Sequence, residues 1–167
     1  APHHMDRYPT VDAYLNAKLR LFENQTAADT AVIRSGEDLS NLAARIVTFS
    51  TTDPECDWFS NGIIILHGGE TWLDMEHGTG LRGLHNAENA MAAMAACKAL
   101  GIEANTMREA LRGYAPPPHR CELIRTLDGV EYLNDSKATN LHALESALRS
   151  QTRPVVLIAG GKEKGLD

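Results

Sequence analysis

Residues 130–161, VEYLNDSKATNLHALESALRSQTRPVVLIAGG, decide how this chain is expected to fold. Val130 to Asn134 reads as a strand and Asp135 to Asn140 as a loop. Leu141, Leu144, Ala147 and Leu148 then recur at helical spacing, and Pro154 to Ala159 is a continuous apolar run opening into Gly160-Gly161. Strand, helix and apolar strand in this order predict a βαβ unit of parallel strands. Its right-handed crossover would bring the two loops that follow the strands, 135–140 and 160–165, to one edge of the sheet. Asp135, Lys137, Thr139, Lys162 and Lys164 would meet there, where open α/β sheets bind ligands, and an anionic ligand is the natural expectation. The alternative is a solvated loop pair without a ligand.

Immediately upstream, Glu122 to Leu127 reads as a strand joined to Val130–Asn134 by Asp128-Gly129, a type I′ hairpin signal. The stretch 114–120, Tyr-Ala-Pro-Pro-Pro-His-Arg, cannot continue a helix and predicts a domain linker, giving domains of 1–115 and 116–167. Before it, Thr106-x-x-Glu109 reads as a capping box for a helix ending near Gly113. Asn86 to Leu100 is Ala- and Met-rich almost all round and predicts a helix buried in a core, with Gly101 just past its end. Gly78, Gly80 and Gly83 fit G-x-G-x-x-G. They lack the βαβ context and downstream acid of a dinucleotide site, so a hinge or turn is expected. Further back lie strands at 29–34, 43–50, 63–67 and 71–75, the last two joined through Gly68-Gly69. An amphipathic helix over 10–24 carries Val11, Tyr14, Leu15, Leu21 and Phe22.

Composition bounds the function. A net charge of −6 and 5% aromatic residues argue against a broad nucleic-acid platform. The longest apolar runs fall far short of the ~20 residues a membrane helix needs. Cys56, Cys97 and Cys121 are odd in number and widely spaced, which supports neither a disulfide framework nor a zinc knuckle and fits a reducing cytoplasm. The first residues hold no apolar leader and no initiator methionine, so an internal start is expected.

Three groups carry candidate chemistry. Lys18 falls on the apolar stripe of its helix. Either its stem packs and its ammonium reaches water, or burial lowers its pKa and allows a carbamate that can serve Mg²⁺ as a carboxylate would. His3-His4 precedes it, a pair that is ordinarily a surface feature. Asn86 and Asn89 lie three apart at a helix start. They could offer donors and acceptors to a nucleobase or ribose, or Asn86 could simply cap the helix. No G-x-x-x-x-G-K-[ST] phosphate loop occurs.

Taken in order, His4-Met-Asp-Arg-Tyr-Pro9, Ala17-Lys18-Leu-Arg20, Leu84-His-Asn-x-x-Asn89, Pro118-His-Arg120, Asn134-Asp-Ser-Lys-Ala-Thr-Asn140 and Ala159-Gly-Gly-Lys-x-Lys164 resemble the bacterial Mur ligases, and within them the D-glutamate-adding branch. The resemblance runs the length of the chain. It implies an α/β fold comprising the later part of a P-loop-type central ATPase domain, followed by the first half of a Rossmann-like C-terminal ligase domain. The implied activity is ATP- and Mg²⁺-dependent joining of D-glutamate to UDP-N-acetylmuramoyl-L-alanine through an acyl phosphate, by a cytoplasmic, monomeric enzyme of peptidoglycan synthesis that binds neither nucleic acid nor membrane.

By the same resemblance, His4 and carbamylated Lys18 would serve the metal sites. Asn86 and Asn89 would meet adenine and ribose, Arg120 and Asp135 the nucleotide, and Lys137 the phosphates. Thr139 and Lys164 would hold the D-glutamate carboxylates. The family's uridine-nucleotide domain, its phosphate loop and the remainder of its C-terminal domain have no counterpart here, which implies an inactive internal piece of a longer ligase. The alternatives are a non-catalytic nucleotide or amino-acid binding module on this scaffold, and a sibling ligase that adds another amino acid.

Overall fold

Ala31 and Ile33 face one core and Val32 the other along Thr30–Arg34 (β1), which pairs in parallel with Arg45–Ser50 (β2) in the computed structural model, where residues 8–37, 39, 41–115 and 117–161 are described. Its contacts divide the chain into two units, the described residues up to Pro118 and those from His119.

In the first unit β2 pairs in parallel with Trp58–Ser60 (β3). Antiparallel Ile64–His67 (β4) and Glu70–Asp74 (β5) follow, completing a mixed five-stranded sheet in sequential order. β3 was not expected from sequence; three residues are too few to show a period. The β2–β3 connection is fastened by Asp57, whose Oδ2 accepts from the Thr48 amide at 2.8 Å and its hydroxyl at 2.9 Å. Gly68 and Gly69 adopt φ of 61° and 80°, the left-handed pair that the expected two-residue turn requires.

On one side of the sheet Ala31, Ile33 and Ala44 form a small core with Ile46 of β2, joined by Phe22, Leu39 and Leu42. Trp58, Ile65, Leu73 and Met75 join the main core with the helix Leu84–Ala99 (α2). That helix buries Ala87, Ala90, Met91, Met94 and Ala95, positions related by i+3 and i+4. It is therefore covered along one stripe and not all round, as its composition had suggested; the outward Ala93 and Ala96 are exposed alanines, chosen by helix propensity and not by burial. Gly101, at φ 78°, closes it with a Schellman motif in which Gly101 N donates to Lys98 O and Ile102 N to Cys97 O.

Two further expectations for this unit are corrected. The N-terminal helix is Val11–Leu19 (α1), ending in a 3₁₀ turn at Arg20–Phe22, and none of its residues is buried. Val11, Leu15 and Leu21 are exposed, while Phe22 of the 3₁₀ turn packs against the Ala31, Ile33 and Ala44 cluster. The capping box is not formed either. Ala104–Gly113 (α3) starts two residues before Thr106, with Glu103 as an extended N-cap that makes no side-chain cap bond, so Thr106 is already helical.

In the second unit Glu122–Leu127 (β6) and Val130–Asn134 (β7) form the expected hairpin, with Asp128 and Gly129 at φ 49° and 78°. Asn140 caps Leu141–Arg149 (α4), its Oδ1 accepting from Ala143 N at 2.8 Å. The expected βαβ unit is absent among the described residues. Residues 155–159 join no strand, and β7 pairs only with β6. Val156 and Ile158 are 93% and 95% exposed, against 49% for Val155 and Leu157. An apolar strand of this kind needs sheet neighbours and cover on both faces, and this unit supplies one hairpin and one helix. No described helix is long and apolar enough to cross a membrane.

Candidate functional site

The glycine-rich segment is a tight turn between β5 and α2. Gly78 N donates to Asp74 O, and a Cβ on Gly78 would lie 2.5 Å from that oxygen, so only glycine fits. Arg82 then ties the loop together, its Nη1 donating to the carbonyls of Met75, Thr79 and Leu81 at 2.9, 3.1 and 3.2 Å. Gly83, at φ 85°, is the N-cap of α2. Asn86 is therefore not the cap. It sits in the first turn and donates through Nδ2 to Arg82 O at 2.8 Å.

These constraints leave a cavity of about 350 Å³ lined by Leu81, Asn86, Asn89, Ala90, Ala93, Leu111 and Tyr114. Its walls are apolar and its two carboxamides come from one helix face, the pattern of a small-ligand pocket. Asn89 is exposed. The helix bearing both is anchored at Glu88, whose Oε1 accepts from Arg34 Nη2 at 2.8 Å and from Thr51 Oγ1 at 3.2 Å. Arg82, Glu88 and Tyr114 were not singled out from sequence. A lone Arg, Glu or Tyr carries no pattern until the fold shows what it touches.

Four other candidates, Arg120, Asp135, Lys137 and Thr139, lie in the second unit. Asp135 Oδ1 accepts from Cys121 N at 3.1 Å, and Lys137 N donates to His119 O at 3.1 Å, so segments 119–122 and 134–139 are stitched together. Asn134 Nδ2 lies 2.9 Å from His119 Nδ1, and His119 N donates to Glu122 Oε2 at 2.7 Å. His119 and Cys121 hold φ of 67° and 46°, strained for non-glycine residues and kept there by these bonds. Arg120 and the side chain of Lys137 are exposed, and Thr139 N donates to Lys137 O at 2.9 Å. Burial, and after it the charge of Asp135, pushes the Cys121 thiol above its ordinary value.

Lys18 is exposed, with Nζ 5.5 Å from the centroid of the Tyr14 ring, which agrees with the reading in which its ammonium reaches water and not with the one that buries it. An exposed lysine can still offer carbamate oxygens to a hard cation, so its donor chemistry remains compatible with Mg²⁺. No group of three His, Cys, Asp or Glu that could hold a metal occurs among the described residues. His4 and Lys164, with Lys162, lie outside them.

The family profile described as the Mur ligase middle domain matches residues 1–97. The chain belongs to the Mur ligase family. Among Mur ligases it is 42% identical over 175 residues to the UDP-N-acetylmuramoylalanine–D-glutamate ligase of Pelotomaculum thermopropionicum, covering 99% of this chain and 38% of that protein. It is 43% identical over 177 residues to the ligase of the same name from Myxococcus xanthus, covering 98% and 39%. This Mur ligase chain thus spans under two fifths of the length of those relatives. The structure of MurF from Acinetobacter baumannii superposes with a TM-score of 0.72 at 16% identity, over 91% of this chain and 36% of that one. That likeness concerns the mixed α/β fold.

Proposed function

We propose that this chain is part of an ATP-dependent amide ligase that joins D-glutamate to UDP-N-acetylmuramoyl-L-alanine in the cytoplasm during peptidoglycan precursor synthesis. The observation that carries this reading is identity near 40% along almost the whole chain to proteins bearing that ligase name. In it, residues 1–115 belong to a central P-loop-type ATP-binding domain and residues 116–167 open a Rossmann-like C-terminal domain.

ATP phosphorylates the muramoyl-alanine carboxylate, the amine of D-glutamate attacks the acyl carbon, and phosphate leaves. Asn86 and Asn89 bind the adenine and ribose, Arg120 and Asp135 also meet the nucleotide, and Lys137 offsets charge on the transferring phosphoryl group. Thr139 and Lys164 hold the D-glutamate carboxylates. His4 and Lys18, the latter as a carbamate, would hold Mg²⁺, whose bound charge supplies further stabilisation of phosphate oxygens. The pocket bearing Asn86 and Asn89 and the stitched loops bearing Arg120, Asp135 and Lys137 support these assignments.

The test is phosphate release by the protein at its natural full length with ATP, Mg²⁺ and UDP-N-acetylmuramoyl-L-alanine. Release should depend on D-glutamate and not on L-lysine or diaminopimelate, and the 167-residue chain alone should give none. Release driven equally by another amino acid would overturn the substrate assignment.

A further inference from the structure

A second cavity, of about 320 Å³, lies between β5, the turn after it and α3, and shares no lining residue with the one that holds Asn86. Its cationic side chains are His77 of the turn and Arg108 and Arg112 of α3, none of which has a part in the ligase reading. The two arginines are four residues apart and so lie on one face of α3. Arg108 is fixed, its Nε donating to Trp72 O at 2.6 Å and its Nη1 to Asn105 Oδ1 at 2.8 Å, which leaves Nη2. Trp72 is open to it because the β4–β5 register shifts there. Ile65 faces Leu73 and Leu66 faces Thr71, so Trp72 is the extra residue of a bulge. The Arg112 guanidinium is exposed and takes no part in an ion pair among the described residues. Two arginines on one helix face repel each other unless an anion lies between them.

Across the cleft, the acid of the lining is Asp74, and its oxygens are occupied. Oδ1 accepts from the amides of Glu76 and His77 at 2.8 and 3.0 Å, and Oδ2 faces His77 Nδ1 at 2.9 Å. That pairing favours the charged imidazole and leaves Nε2 with its hydrogen for a ligand. Glu76 and Glu109, next in sequence to His77 and Arg108, do not line the cavity. Three cationic donors thus reach one space from two elements, in a chain whose net charge is −6. Trp72 adds an apolar wall. Its ring is held edge-on by Trp58 and His67, with centroids 4.9 and 5.4 Å away, and Lys98 Nζ lies 4.9 Å from its centroid.

We propose that the β5–α3 cleft binds a small phosphomonoester, its tetrahedral dianion taken by Arg108 Nη2, Arg112 and His77 Nε2 and its organic body resting on Trp72. A carboxylate is flat and has two oxygens, whereas donors from three side chains on two elements suit the three terminal oxygens of a phosphate. The cavity is roomier than a bare phosphate needs, and the indole wall gives the remainder of the ligand a surface to cover.

The experiment follows the His77 ring by NMR in the protein at its natural full length, with Mg²⁺ and a non-hydrolysable ATP analogue present so that nucleotide and product-phosphate sites are filled. Phenyl phosphate, inorganic phosphate or succinate is then added at constant ionic strength. Phenyl phosphate should shift the His77 resonances saturably and bind more tightly than the other two. Arg112→Ala, at an exposed position, should leave the melting temperature unchanged and weaken phenyl phosphate roughly tenfold. Succinate binding as tightly as phenyl phosphate would overturn the phosphate assignment, and inorganic phosphate binding as tightly would overturn the organic body. A shift that never saturates, or an Arg112→Ala affinity equal to that of the wild type, overturns the site itself. None of these readouts passes through catalysis, so failure of the ligase reading would leave them intact.

Discussion

Asp74 and His77 sit three residues apart with Oδ2 and Nδ1 separated by 2.9 Å, and each holds the other in its charged form. The hydrogen bond from Asp74 raises the imidazole above its ordinary value, and the same bond lowers the carboxyl. The raised imidazole stabilises the fold at pH below its unfolded value, and that contribution fades as pH rises through the folded one. The lowered carboxyl contributes above its own unfolded value and fades as pH falls through its folded one. The pair therefore acts between the carboxylate and imidazole ranges. An NMR titration should place the His77 midpoint above the ordinary imidazole value, and Asp74→Asn should bring it down; a wild-type midpoint at or below the ordinary value would refute the pairing.

Cys121 makes a second prediction at this scale. With its thiol raised by burial and by Asp135, it should alkylate slowly at neutral pH, and Asp135→Asn should speed iodoacetamide labelling. Unchanged labelling would mean the carboxylate does not reach the sulfur.

Helix ends and core stripes set the energetics of the elements. Gly101 has open space around an added Cβ, so Gly101→Ala meets no clash; its cost, about 1 kcal/mol in urea unfolding, comes from forcing φ 78° on alanine. Met91 is fully buried between α2 and the sheet, and Met91→Ala should cost ~2–5 kcal/mol by the same measurement. Caps separate a formed motif from a merely plausible one. Asn140→Ala removes an observed cap and should destabilise α4 by about 1 kcal/mol, whereas Thr106→Ala should lie within ~0.5 kcal/mol of neutral. A large Thr106 effect would mean that α3 starts where the capping-box pattern placed it.

Across the whole molecule, protection should follow burial. Amides of Ile33, Val47 and Ile65, paired in the five-stranded sheet, should exchange slowly with deuterium, and those of residues 155–159 should exchange first. Slow exchange at 155–159 would show a sheet partner for that segment.

Much of this protein was legible without its fold. The Gly68-Gly69 and Asp128-Gly129 turns, the Gly101 helix end, the β6–β7 hairpin and the extents of most strands follow from backbone preferences acting over a few neighbouring residues, and the ordered Mur-ligase strings are legible as strings. What the tertiary structure decided is which faces are covered and which groups meet. Lys18 lies exposed although it falls on the apolar stripe of its helix. α2 buries one stripe of its alanines and methionines. Residues 155–159 join no strand, although they are as apolar as a central one. Asn86 is held by a loop carbonyl that accepts from its nitrogen, and Tyr114 lines the same cavity from another helix end. Each of these depends on partners distant in the chain, and local propensity carries no information about partners that only packing brings into contact.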